Sequence, residues 1–303
     1  SANAKIEQLP ALEAPQNDVS DGESFALTPI QRWFFYESDI EEKQHWNHSR
    51  LITAPTTTHT DTVKRAVQKI VSHHDALRLQ FAQNASGEWT QHYLPCTDEI
   101  LNAAFVAMDV TQDTITSAMT SVESSFTLGS TVPLFKVALL RLTDQTNLSY
   151  VLFAQHHLIT DSLASRILLE DFEALLAQSA SDALVLPPKT NSFAQFVQLQ
   201  LDHVHKVPES EVNYWTSTPL YTESSRLPLD SKLPDAQLKL LNRLEDSHTT
   251  ITNTGLELTR AIMAIAKANH CSVQDVLMSA VFMALQKWSP SGGKQVIIDL
   301  ESH

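Results

Sequence analysis

Apolar positions along this chain follow two rhythms. Val63, Ala66, Val67, Ile70 and Val71 recur at three- and four-residue intervals, the spacing of one helix face. Directly afterwards Leu77, Leu79 and Phe81 alternate with polar residues, which predicts a half-buried strand. Asn84 to Gly87 reads as a turn, and Trp89 to Leu94 as the strand that returns from it. Val137 to Leu142 and Leu148 to Ala154 are nearly continuous apolar runs. They predict neighbouring strands of a buried sheet, joined by the polar turn Thr143 to Asn147. A helix is expected from Ser162 to about Ala177, with Leu163, Ile167, Phe172, Leu175 and Leu176 mostly on one side. Phe193 to Val204 predicts another.

These elements imply an α/β lobe over residues 24–180. Residues 1–23 are polar and acidic, with Pro10 and Pro15, and read as a linker or tail. Residues 181–250 contain Pro187-Pro188 and a Pro-punctuated polar stretch from Pro219 to Pro234, and read as a linker with a crossover. A second compact region is expected over residues 251–303. In it Ser272-Val273-Gln274-Asp275 has the form of a capping box ahead of a helix through Trp288. Val296 to Leu300 predicts a short strand, and with only Glu301, Ser302 and His303 after it the second lobe is expected to be incomplete.

Composition narrows the function classes. The 303 residues are 43% hydrophobic, enough for a sizeable core. Net charge is −14 with no basic run, which argues against a nucleic-acid partner, since phosphate contacts need clustered Lys and Arg. Only 6 glycines are present, which disfavours a Gly-rich phosphate loop. Cys96 and Cys271, far apart, suggest neither a disulfide framework nor a zinc site. No apolar run approaches the roughly 20 residues of a bilayer span, and no signal pattern opens the chain, so a cytoplasmic protein without a membrane partner is expected.

The segment Tyr150 to Asp171 carries the candidate chemistry. An apolar strand runs into His156-His157, then Leu-Ile-Thr, then Asp161 at the expected helix start. Successive strand side chains point to opposite faces, so one His can be packed while the other meets a cavity. Imidazole titrates near neutrality and can accept or deliver a proton. Asp161 would cap the helix or pair with a cation. A purely structural His-His pair accounts for the same residues. Zinc fits poorly, because the two side chains diverge and no third ligand cluster is visible. A serine hydrolase is disfavoured by the lack of a Gly-x-Ser-x-Gly elbow. His73-His74-Asp75, at a helix end, reads as structure.

His156-His157-Leu-Ile-Thr-Asp161 matches the His-His-x-x-x-Asp signature of the condensation-domain superfamily, which has the chloramphenicol acetyltransferase-like two-lobed fold. Other segments match in order. Leu27 to Phe35 (LTPIQRWFF) resembles the opening motif of the epimerization domains of nonribosomal peptide synthetases, and His45-Trp46-Asn47-His48-Ser49 the segment after it. His74-Asp75-Ala76-Leu77-Arg78 resembles the early helix-to-strand motif, and Arg166 to Asp171 the active-site helix. Leu300-Glu301-Ser302-His303 resembles the start of a Glu-Gly-His-Gly-Arg-Glu motif. There are departures. Ser162 stands where the family has Gly, Leu163-Ala164-Ser165 where epimerization domains continue Val-Ser-Trp, and Ser302 in place of another Gly.

The resemblance implies an N-terminal lobe present in full, a truncated C-terminal lobe, and a tunnel between lobes that receives a thioester on the phosphopantetheine arm of a carrier protein. A downstream condensation domain would be a further partner. It implies His157 and Glu301 as acid–base groups on facing walls, His156 and Asp161 as supports, and Ser162 amides near the enolate oxygen, with no metal or bound cofactor. A peptide-bond-forming condensation domain and an inactive carrier-docking domain are the alternatives.

Overall fold

The computed structural model describes residues 19–288 apart from 56, 146–147, 182, 218–233 and 235–247, together with 297, 298 and 300. These fall into two compact units divided between Lys206 and Val207.

The first unit is built on a four-stranded sheet in the order β1-β6-β5-β4, where β1 is Asn47–Ala54, β4 Phe105–Val110, β5 Phe135–Leu142 and β6 Ser149–His156. β6 is antiparallel to both β1 and β5, and β4 runs parallel to β5. The two apolar runs are the central pair, and Val137, Leu140, Leu152 and Ala154 are fully buried. Central strands covered on both faces need apolar residues at nearly every position. Helix α2 (Thr60–His73) buries all five residues of its predicted stripe, Val63, Ala66, Val67, Ile70 and Val71, at 0% exposure. Helix α5 (Ser162–Ala177) has the bounds its pattern predicts and sets Phe172 edge-on against Phe153 of β6, centroids 5.0 Å apart.

The predicted hairpin is β2 (Leu79–Gln83) with β3 (Trp89–Tyr93). Its turn closes on the Asn84 side chain, whose Oδ1 accepts from the backbone N–H of Ser86 and Glu88, while Gly87 takes φ 82°. Strand pairing starts at Leu79, later than the alternation from Leu77 suggests, because Asp75–Arg78 forms a 3₁₀ turn. Arg78 is the reason. Its buried guanidinium donates to the carbonyls of Val71 and Leu94 and to the carboxylates of Asp75 and Asp21. Replacing Arg78 by Leu strips donors from buried carbonyls and should cost roughly 3 kcal/mol. The urea midpoint of the variant measures that loss.

Helix α1 (Pro29–Tyr36) starts at a capping box between Thr28 and Gln31. Two short helices, α3 (Asp98–Ala103) and α4 (Ile115–Glu123), flank β4 in sequence. Helix α6 (Phe193–Val204) lies within the predicted linker yet belongs to the first unit. Its Ala194 N–H donates to the Tyr93 hydroxyl, and Val197 is buried.

The second unit contains α7 (Glu209–Thr216), α8 (Gly255–Ala268) and α9 (Val273–Trp288). The turn between α8 and α9 passes through His270 at φ 52°. The predicted capping box is present: Ser272 Oγ accepts from Asp275 N–H, and Asp275 Oδ2 accepts from Ser272 N–H. The Ser272 hydroxyl, which donates to Asp275 Oδ2 at 2.7 Å, and then the Ser272 N–H lower the Asp275 carboxyl pKa below its ordinary value. Most of the predicted crossover, together with Val296 and Asp299 of the predicted last strand and Glu301, lies outside the described residues. Among the described residues no helix is long and apolar enough to cross a membrane.

Candidate functional site

Strand β6 ends on His156, a 3₁₀ turn covers His157–Ile159, and Asp161 caps α5. With the strand ending between them, the two imidazoles enter different surroundings. His156 is fully buried, and each ring nitrogen is engaged. Nε2–H donates to the Lys43 carbonyl at 2.7 Å, and Nδ1 accepts from the Leu158 N–H at 3.1 Å. A carbonyl can only accept and an amide N–H can only donate, so Nε2 carries the proton, Nδ1 the lone pair, and the ring is neutral. Burial lowers its pKa to about 4, against the opposing pull of the Lys43 carbonyl. Phe34 of α1 packs against the ring at right angles, centroids 5.9 Å apart.

His157 is half-buried. Its backbone N–H reaches the Trp46 carbonyl at 2.8 Å, beside the Asn47–His156 pair of the β1–β6 ladder. Its Nδ1–H donates to the Thr160 carbonyl at 3.1 Å. In the neutral ring Nε2 therefore carries the lone pair, as a general base requires. The His48 ring from β1 stands edge-on to it, centroids 4.1 Å apart. Asp161 Oδ1 accepts from Ala164 N–H at 2.6 Å, and Asp161 O takes the Ser165 N–H. Asp161 thus acts as a helix cap. Exposed Ser162 is the first residue of α5. The Asp161 carboxylate and carbonyl thus take the Ala164 and Ser165 amides, and the Ser162 and Leu163 amides precede them in the first turn. Glu301, the other predicted acid–base group, lies outside the described residues.

Supporting contacts come from other motif segments and from Lys43, which lies between two of them. Gln31 Nε2 donates to the Leu158 carbonyl at 3.2 Å and to Gln91 Oε1 at 3.1 Å, so the α1 cap also holds the histidine turn. Lys43 Nζ, bonded to the Phe34 carbonyl at 2.8 Å, fixes the segment whose carbonyl holds His156. Burial lowers the Lys43 pKa. His74 Nε2 lies 2.7 Å from Asp171 Oδ2, joining α2 to α5. Sequence reasoning missed Gln31, Lys43 and His48 as parts of the site. The Thr-x-x-Gln spacing at Thr28 was a readable capping signal. Lys43 acts through its carbonyl, on which side-chain identity is silent.

The family model described as Condensation domain matches residues 22–303. Surfactin synthase subunit 1 of Bacillus subtilis (strain 168) is 31% identical over 309 residues, covering 98% of this chain and 8% of that protein. Tyrocidine synthase 2 of Brevibacillus parabrevis is 31% identical over 307 residues, covering 99% of this chain and 8% of that protein. The chain thus spans under a tenth of the length of these synthases. The crystal structure of the epimerization domain from the third module of tyrocidine synthetase B superposes with a TM-score of 0.73 at 30% identity, covering 91% of this chain and 60% of that one. The first condensation domain of the CDA synthetase shares the fold at 15% identity, with a TM-score of 0.60 over 88% of this chain and 61% of that one. The fold is therefore the mixed α/β, chloramphenicol acetyltransferase-like one, and the chain belongs to the condensation-domain superfamily of nonribosomal peptide synthetases.

Proposed function

We propose that this chain belongs to an epimerization domain, which interconverts the L and D configurations at the α-carbon of a carrier-bound aminoacyl or peptidyl thioester. A thioester acidifies its α-carbon because the enolate spreads charge onto the carbonyl oxygen, and a positioned base can then remove the proton. One observation carries the reading: His157, first in the turn after the buried strand, has Nδ1–H tied to the Thr160 carbonyl and Nε2 left as a base. The likeness to an epimerization domain, at 30% identity, supports this branch over peptide-bond formation. Epimerization needs proton transfer on both faces of a planar enolate, so a second acid–base group is required. Glu301 fills that role by the family resemblance. His156 and Asp161 hold the turn, and the Ser162 amide is the donor offered to the enolate oxygen. The chemistry calls for no metal or resident cofactor. The substrate arrives on the phosphopantetheine arm of a carrier protein in a cytoplasmic synthetase, and a downstream condensation domain receives the product.

The protein, given an L-aminoacyl thioester on its carrier, should form the D-thioester and exchange the α-proton with solvent deuterium. Glu301→Gln should slow racemisation far more than exchange, because one base remains. Peptide-bond formation with an acceptor thioester, without exchange, would establish a condensation domain instead. Neither activity in a folded protein would leave only carrier docking.

A further inference from the structure

Gln155, the residue before the two histidines, is 4% exposed, and its Oε1 is buried with no hydrogen-bond partner among the described residues. Buried acceptors seldom go unpaired, so this one calls for an explanation. The amide's other end supplies it. Gln155 Nε2 donates to Ser165 Oγ of α5. Ser165 has a single hydroxyl proton, which goes to the Asp161 carbonyl at 2.9 Å. Ser165 Oγ can then only accept from Gln155, which fixes the amide orientation and leaves Oε1 without a donor. Thr160 Oγ1 lies 3.4 Å from Ser165 Oγ and 3.3 Å from the Asp161 carbonyl. Asp161 is further held by its cap to Ala164 N–H. The two residues that flank the Thr160–Asp161 peptide are therefore tied to α5, Thr160 through its hydroxyl beside Ser165 Oγ and Asp161 through its carbonyl to Ser165 and its carboxylate to Ala164. That peptide's carbonyl is the acceptor for His157 Nδ1–H.

We infer that Gln155 and Ser165 are positioning residues that select the His157 tautomer. They hold the Thr160 carbonyl toward Nδ1, so that the ring keeps its proton there and presents Nε2 as the base. A ring without a fixed acceptor would divide between two tautomers, and the Nε2–H form cannot take a proton at Nε2. Sequence neighbours on one strand and one helix turn thus set the chemistry of a side chain that neither is shown to touch.

The test pairs a spectroscopic readout with kinetics. In protein labelled with 15N-histidine, in buffer alkaline enough to keep the ring neutral, the parent His157 should appear as the Nδ1–H tautomer, its signals assigned by their loss in His157→Gln. Ser165→Ala and Gln155→Met should each give a mixture with the Nε2–H form. Ser165→Thr, which keeps the hydroxyl, should restore the parent spectrum. α-Proton exchange should fall on the order of tenfold in kcat for Ser165→Ala, with KM changed less than about twofold. The inference rests on His157 being the base, and the spectrum reads it separately. If the parent exchanges no α-proton, the epimerase reading fails and the tautomer still decides the positioning role. An unchanged Nδ1–H tautomer in both Ser165→Ala and Gln155→Met overturns the inference. So does an unchanged exchange rate in protein that exchanges.

Discussion

His157→Gln should abolish exchange of the substrate α-proton with solvent and leave the fold in place. Removing a positioned acid–base group lowers the rate by roughly 10²- to 10⁴-fold. The fold should survive because the side chain is half-buried and the bond that anchors the start of the turn, His157 N–H to the Trp46 carbonyl just before β1, is a backbone one that the substitution keeps. The measurement is deuterium uptake into a carrier-bound L-aminoacyl thioester, followed by mass, beside a far-ultraviolet spectrum and a urea midpoint. Exchange at the parent rate in a folded variant would remove His157 from the reaction. A lower midpoint together with lost exchange would instead recast it as a structural residue.

His156→Leu should do the reverse, lowering stability before it alters chemistry. The imidazole satisfies the Leu158 N–H and the Lys43 carbonyl in a fully buried site. Leucine leaves both groups without partners, so the loss should be about 2–5 kcal/mol. The parent should also carry a pH signature. Burial lowers the His156 pKa to about 4, below its unfolded value of 6.5. The unfolded chain therefore binds the extra proton first as pH falls. The contribution is complete above about 6.5, declines as pH drops toward 4, and changes no further below that. A shift of this size is worth up to roughly 3 kcal/mol. Urea midpoints across that window should fall more steeply for the parent than for His156→Leu. Parallel curves would show that His156 is not held neutral by the fold.

How much of this was legible follows the physics of each element. β5, β6, α2 and α5 announced themselves because burial forces apolar residues into a fixed period. Strand β1 did not, since Asn47–Ala54 is exposed at most positions and its residues carry no alternation to read. The 3₁₀ turn at Asp75–Arg78 hid inside an alternating pattern, because a buried arginine is invisible to a hydrophobic template. Helix α6 was legible as a helix, but its place in the first unit depends on the Tyr93 hydroxyl, which local pattern does not encode. At the site, His156, His157 and Asp161 stood out through spacing and family likeness. The acceptors that set their protonation, the carbonyls of Lys43 and Thr160, are backbone atoms common to every residue type. Gln155 and Ser165 were passed over because a polar pair ten residues apart has no period.

The contact between His156 and the Lys43 carbonyl joins residues 113 apart in sequence, that between Gln31 and the Leu158 carbonyl 127, and that between His74 and Asp171 97. Each closes a long loop, whose entropy must be met before the contact gives anything back. The histidine turn therefore has no native geometry in a nascent chain that has emerged only to Asp161 but not yet closed its sheet. Such distant closures also make for slow folding. Base competence at His157 should accordingly arise in the last kinetic phase of refolding, after the helices α2 and α5 have gained their amide protection.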